Sequence, residues 1–382
     1  MSTLKVNTIR HTGASSDAVT LVTDGTCTAK ITNQPPGNRN LLINGAMRVS
    51  QRGSTFNYTS TASYGLDRWR HTVGSSFNFD TTMTQDSSGP DGFTKCLKVT
   101  PDSTVTPTGS HNGAIAQRLE GQDCRALCHG TSSAKKVTLS FYAKSGSQNN
   151  NHQYGVQLFK TTSGGAAFNV TKAFTITSSW QKFTMTFPGD TTNDIGNDND
   201  EKLRVIFHLA TGPDDISSEV STWTSSTIYR AVTGQDNFMD NTSNEFYLTG
   251  VQLEVGDVAT DFEHRSYGDE LAKCQRYFFR LVAGNNQAIS VGGYYTNSLF
   301  TAHVYFPVTM RAAPTLDLGT GTDYYRIYHS GTNDNFNSFI QERTSTTGVC
   351  IDATSGVSGT EGNAGNMTTH NASAYVQFAA EL

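Results

Sequence analysis

Charge is scarce in this chain. Asp, Glu, Lys and Arg make up 16% of its 382 residues, against roughly a quarter in an average soluble domain. Helical bundles and coiled coils, whose surfaces need Glu, Lys and Arg, are excluded on that ground. Basic excess is also missing: 28 Lys and Arg against 33 Asp and Glu leave a net charge of −5. No global positive field exists to neutralise phosphates, so nucleic acid is not the expected ligand. No stretch approaches the roughly 18 apolar residues of a membrane span. The opening Met1-Ser2-Thr3-Leu4-Lys5-Val6-Asn7 lacks the apolar run of a secretory signal. The expectation is synthesis in a cytoplasm without membrane insertion.

Cysteine is sparse and dispersed. Cys27, Cys96, Cys124, Cys128, Cys274 and Cys350 do not form the dense framework of a disulfide scaffold, and free, mostly buried thiols are expected. Catalytic signatures are missing as well: no His-Glu-x-x-His zinc helix, Gly-x-Ser-x-Gly elbow, phosphate loop or dinucleotide-binding glycine motif occurs. Cys124, Cys128 and His129 lack the second ligand pair that a tetrahedral zinc needs. Asp261 and Glu263 would lie on one exposed strand face, with nothing to raise either pKa, so they are expected to be surface charges rather than a hydrolase pair. The chain reads as a non-enzyme.

What is abundant is glycine (35), aromatic residues (10%), and Thr, Ser and Asn, the composition of strands and turns. An all-β protein is predicted. Residues 1–39 form a small strand-and-hairpin segment, folded about Asp24-Gly25 and closed by the rigid break Asn33-Gln34-Pro35-Pro36-Gly37-Asn38. Residues 40–265 carry short alternating runs separated by turns, the pattern of a jelly-roll β-sandwich. In one run Val137, Leu139 and Phe141 should face the core, with Thr138, Ser140 and Tyr142 facing water. Ser266-Tyr267-Gly268-Asp269 is a capping-box pattern that opens a linking helix within 266–280. Residues 281–382 return to strand chemistry as a smaller C-terminal β domain.

Two groups of residues are candidate binding chemistry. Flat aromatic rings offer apolar area to sugar rings. Trp223, in the polar run Ser221-Thr222-Trp223-Thr224-Ser225, and Tyr294, Tyr295, Tyr324 and Tyr325 are the glycan-binding candidates. Tyr328, Asn297, Asn333 and Asn335 lie nearby to orient a ligand. Trp69, Phe141 and Trp180 are expected in the core. The loop from Asp190 to Glu201 is rich in oxygen ligands, and Asp190, Asp194, Asp198 and Asp200 are candidates for a structural Ca2+, although their order does not match an EF-hand. No other cofactor is expected.

Certain strings carry more. Asn40-Leu41-Leu42-Ile43-Asn44-Gly45-Ala46-Met47-Arg48-Val49-Ser50-Gln51-Arg52-Gly53 and Tyr64-Gly65-Leu66-Asp67-Arg68-Trp69 resemble the opening of a carbohydrate-binding-like jelly roll of bacteriophage tail fibres. The likeness continues through Phe141-Tyr142-Ala143-Lys144-Ser145 and Val251-Gln252-Leu253-Glu254-Val255-Gly256 to Phe262-Glu263-His264-Arg265. Ser2-Thr3-Leu4-Lys5-Val6-Asn7-Thr8-Ile9 is similar to the attachment segment of cyanophage fibre proteins. The resemblance implies a noncatalytic virion tail fibre made in the bacterial host cytoplasm. It would be a homotrimer fixed to other tail proteins by its N-terminus, with its C-terminal tip recognising host surface polysaccharide. The alternatives are a purely structural adaptor or head decoration protein and, with less support, a depolymerising tailspike.

Overall fold

The computed structural model describes residues 39–225 and 230–382 continuously, preceded by residues 6–10, 12, 19–21, 23 and 27–29. In that first part Thr8–Ile9, Val19–Leu21 and Cys27–Ala29 pair as a three-stranded antiparallel sheet. Asp24-Gly25, the Pro-Pro break and the Cys27 side chain lie outside the described residues, as does Leu4.

Residues 39 to 265 form two antiparallel sheets packed face to face. One has six strands in the order Gln181–Phe187, Val137–Ser145, Phe246–Val255, Cys96–Pro101, Thr81–Asp86 and Thr55–Tyr58. The other has seven, in the order Val220–Thr224, Ala167–Thr175, Gln153–Thr161, Glu201–Thr211, Asn112–Glu120, Arg70–Gly74 and Ser63–Tyr64. Neighbours distant in sequence, such as Phe246–Val255 beside Cys96–Pro101, give the crossing connections of a jelly roll. Alternation along each strand fills the space between the sheets: Leu139, Phe141, Val156, Leu158, Val205, Phe207 and Leu253 all lie in one buried cluster with Trp69.

The face of Val137–Ser145 expected to be wet is only partly so. Thr138 and Ser140 are buried, because chain from Gly256 to Glu263 folds back over them; Thr138 donates to Gly256 O at 3.0 Å. Trp180 also differs from expectation. It sits half-buried on the outward side, its Nε1 donating to Ser88 O at 2.9 Å and its ring edge-on to Tyr247. Trp180 precedes the strand Gln181–Phe187, so strand alternation did not fix its direction.

Glu263 corrects a further expectation. It is buried, not a surface charge: its carboxylate accepts from the Asn40 N–H at 2.9 Å and pairs with Arg265 at 3.0 Å. Asn40 in turn bonds Val251 O and Leu253 N. Three stretches of the sandwich, at its start, its last strand and its exit, are thus pinned together.

Ser266 caps the helix Tyr267–Gln275 by accepting from the Asp269 N–H at 3.1 Å. The helix ends at Gln275, and Phe278 opens a strand. Beyond it, a three-stranded sheet (Phe278–Ala283, Tyr375–Ala379, Thr315–Leu318) packs on a seven-stranded one. The seven run Thr332–Phe336, Tyr325–His329, Ala364–Thr369, Ala288–Thr296, Leu299–Tyr305, Gly348–Ala353 and Ile340–Glu342. Between them lies a second core, built on Phe300, Ile327, Val349, Ile351, Met367 and Phe378.

A charged seam joins this part to the sandwich. Arg68, 1% exposed, pairs with Glu381 at 2.5 Å and stacks 3.4 Å from the Tyr277 ring. Glu120 accepts from both Arg276 and the Tyr277 hydroxyl. Buried charges must be paired, so these contacts fix how the C-terminal sheets present their outward face.

Candidate functional site

Strand geometry divides the tyrosines that the sequence puts forward. Successive side chains point to opposite faces, so within Ala288–Thr296 Tyr294 turns inward, 2% exposed, and Tyr295 outward, 72% exposed. Tyr294 donates its hydroxyl to Asp334 Oδ2 at 2.7 Å and sits edge-on to Phe300 and His329. Tyr325 is fully buried, its hydroxyl reaching the main-chain oxygens of Gly319 and Tyr375 at 2.7 and 2.9 Å. Tyr324 is half-buried against the C-terminal core. Tyr294 and Tyr325 are therefore core residues, which corrects their place among the sugar-stacking candidates.

Trp223 is corrected too. It is half-buried, with Nε1 donating to Pro188 O at 2.8 Å, and its ring is occupied by the Lys160 ammonium at 4.7 Å and by the edge of His129.

The expected calcium loop contains a cation of the chain's own. Asp190 pairs with Lys160 at 2.8 Å, and Lys160 also donates to Asn193 O at 2.6 Å. The remaining Asp190 lone pairs accept from Thr192 and Asn193 N–H groups. Burial alone would raise the Asp190 carboxyl, but these bonds hold it well below the usual carboxylate range. Asp194 faces Ser163 N, Asp198 pairs with Lys202, and Asp200 is exposed. Among the described residues no three His, Cys, Asp or Glu side chains gather as a metal site. The five described cysteines are free.

What the fold does bring together is the outward face of the C-terminal seven-stranded sheet. Tyr328 lies opposite Asn333 on one side and Asn366 on the other, and Asn366 lies opposite Val291. This row of four residues crosses four adjacent strands, about 14 Å at ordinary strand spacing. Two residues along each strand from this row are Arg326 and Asn335. Arg326 donates to Asn335 Oδ1 at 2.8 Å and to the Tyr328 hydroxyl at 3.2 Å, so the Tyr328 ring is braced while 41% exposed.

Farther across the sheet, Phe300, Ala302 and Val304 fill the core and turn His303 and Tyr305 outward. Tyr305 is 77% exposed and packs against His303, ring centres 4.3 Å apart. Ser330 and Gly331, both at positive φ, make the tight turn that ends the Tyr325–His329 and Thr332–Phe336 hairpin. A shallow depression beside that turn is lined by Tyr328, Thr332, Asn333 and Ala364.

Tyr305, His303, Val291, Arg326 and Asn366 are absent from the sequence-based candidates. The signal existed for two of them: Phe-x-Ala-x-Val at 300–304 is strict alternation that points His303 and Tyr305 outward. The meeting of Tyr328 with Asn366 and Val291 depends on pairing between distant strands, which no local pattern carries.

No family model matches the chain, and no curated protein matches it in sequence. Among solved structures it is similar to the CBM22-1 xylan-binding domain of Paenibacillus barcinonensis Xyn10C, at 11% identity over 59% of this chain and 100% of that one, TM-score 0.31. It is similar also to the family 11 carbohydrate-binding module from Clostridium thermocellum, at 14% identity over 55% of this chain and 98% of that one, TM-score 0.29. A third likeness is to the enzymatically active domain of tailspike protein 4 of bacteriophage CBA120, at 9% identity over 57% of this chain and 21% of that one, TM-score 0.30.

Proposed function

We propose that this chain is a noncatalytic fibre protein of a bacteriophage particle. On this reading it recognises host surface glycan through the outward face of its C-terminal sheet. The observation that carries it is one face on which Tyr295, Tyr305 and Tyr328 are exposed among Asn333, Asn366 and His303. Rings give stacking area, and amides give donors and acceptors for sugar hydroxyls. In this proposal the N-terminal segment attaches the chain to other tail proteins. Three copies act together, so that weak sites bind through effective concentration. The protein resides in the virion after synthesis in the host cytoplasm. Among the described residues no helix is long and apolar enough to cross a membrane.

The noncatalytic reading is supported by Glu263. Burial alone would raise its pKa, but the Asn40 N–H and Arg265 hold it below the usual carboxylate range. A carboxyl so held is a poor proton donor at neutral pH, which weighs against a depolymerising tailspike built on Asp261 and Glu263. A purely structural adaptor or head decoration is the second reading. It is favoured by Val291 and Ile340, which are 71% and 49% exposed on the same face and offer aliphatic surface.

Binding of the full chain to arrayed host-surface polysaccharides tests the proposal. Tyr305→Ala and Tyr328→Ala are each expected to weaken binding by about 1–2 kcal/mol, roughly five- to thirtyfold, with an unchanged melt because both rings are exposed. Absence of binding to any glycan, together with a Val291→Asp variant that breaks up a trimer measured by light scattering, would favour the structural reading.

A further inference from the structure

Three arginines meet on the outward face of the seven-stranded sheet of the sandwich, away from the tyrosine face. Arg118 lies directly opposite Arg204. Arg70 lies opposite Ala116, two residues back along the same strand as Arg118. Like charges directly opposite each other weaken a sheet, so the fold holds this group together against its own repulsion.

The counter-charge is incomplete. Glu201 pairs with both Arg118, at 2.8 Å, and Arg204. The three guanidinium groups outnumber the one side-chain carboxylate paired with them, in a chain whose net charge is −5. The next carboxylate, Glu381, is already paired with Arg52 and Arg68. Arg118 also donates to the main-chain oxygen of Leu382 at 2.8 Å. Arg70 makes no hydrogen bond or ion pair among the described residues; its guanidinium lies 5.9 Å from the Tyr64 ring. Burial, then repulsion from Arg118 and Arg70, brings the Arg204 pKa down to about 10, as expected of a cation that lacks enough partners.

Beside the arginines, the half-buried Phe159 ring packs over buried Ala114, Ala116 and Ile206, and the Arg204 guanidinium lies 4.8 Å over that ring. Guanidinium groups bind a planar carboxylate through paired N–H bonds. We propose that this corner binds the carboxylate of a uronic acid, so that the chain takes an acidic polysaccharide at a second surface. The inference rests on the reading of the chain as a glycan binder, but it uses none of the residues of the tyrosine face.

Calorimetric titration of the full chain tests it, with an oligogalacturonate, the same oligomer after carboxyl reduction, and inorganic phosphate as ligands. The acid oligomer should bind, more weakly as salt is added, and the reduced oligomer should not bind at this corner. Arg70→Gln, which breaks no ion pair and so should leave the melt unchanged, is expected to lower affinity for the acid form about tenfold or more. Adding Arg204→Gln should remove the binding, whereas Tyr305→Ala with Tyr328→Ala should leave it intact. The proposal is overturned if the arginine variants bind as the unsubstituted chain does, or if phosphate binds as tightly as the oligomer, which marks a general anion site. Loss on the tyrosine substitutions alone would also overturn it and leave the tyrosine-face reading standing.

Discussion

Acidification from pH 7 to about pH 4.5 is expected to remove about 5 kcal/mol of folding stability through two buried histidines, before the paired carboxylates Glu120, Glu263 and Asp190 titrate. The groups responsible are His129 and His208, which are 8% and 2% exposed. Burial, then the neighbouring Lys160 ammonium, lowers the His129 pKa to about 4; burial, then Arg230, lowers that of His208 to about 3. The geometry agrees. His129 Nδ1 faces the Lys160 ammonium at 3.3 Å, and His208 Nδ1 has no hydrogen-bond partner among the described residues. In the unfolded chain both titrate near pH 6.5.

Between about pH 6.5 and 4 the unfolded state therefore takes protons that the folded state refuses, and stability falls as pH falls, by about 1.4 kcal/mol per pH unit for each ring. Glu120, Glu263 and Asp190 behave differently. Their pKa values are depressed in the fold, so their contribution is complete above the unfolded carboxylate pKa, about 4, and is lost only below it. Burial also lowers the His71 pKa, to about 4, but its two ring nitrogens both face carbonyl oxygens, of Thr61 and Phe79, which accommodate a proton and make its contribution to the slope the smaller one. Denaturant unfolding at a series of pH values measures the slope. A stability that is flat from pH 7 to 5 contradicts the account, and His208→Gln should flatten it by about half.

Lys160→Met should destabilise the sandwich by about 3–5 kcal/mol, because it leaves Asp190 buried without a cation. The pair is enclosed, with the Lys160 side chain 0% and Asp190 7% exposed. Replacing both, as Lys160→Met with Asp190→Asn, should recover most of the loss, since the double variant buries no charge. The single variant carries a second signature. Without the ammonium, His129 sits near a lone carboxylate, its pKa rises, and the acid slope weakens. Chemical unfolding of the two variants, read as a double-mutant cycle, checks both points. Equal losses in the single and double variants would show that the Lys160 stem, not its charge, stabilises this end of the sandwich.

How much of this was legible depended on how local each signal is. Strands such as Val137–Ser145 announce themselves because alternation is a property of neighbouring residues, and the Ser266–Asp269 cap is four residues long. The strings that resemble phage fibre jelly rolls turn out to hold fold-closing residues. Asn40, Glu263 and Arg265 pin the sandwich shut, and buried Asn44, at a positive φ of 57°, bonds Val49 and Asp67. The errors come from partners far along the chain. Nothing near Asp190 says that Lys160 supplies its cation, nothing near Glu263 says that Asn40 buries it, and the opposition of Arg118 to Arg204 exists only once two distant strands pair. The Tyr294-Tyr295 doublet shows an intermediate case: alternation guarantees that one ring is buried, but which one depends on the side from which the core is filled.

Hydroxyl-radical footprinting of the full chain, with and without host surface polysaccharide, tests the central proposal most directly, since it reads the exposure of each ring. With polysaccharide bound, Tyr295, Tyr305 and Tyr328 should lose reactivity together while Tyr142 and Trp180, on the outward side of the sandwich, stay unchanged. If the polysaccharide cosediments with the protein yet those three tyrosines react as fast as in its absence, the outward face of the C-terminal sheet is not the glycan-binding surface.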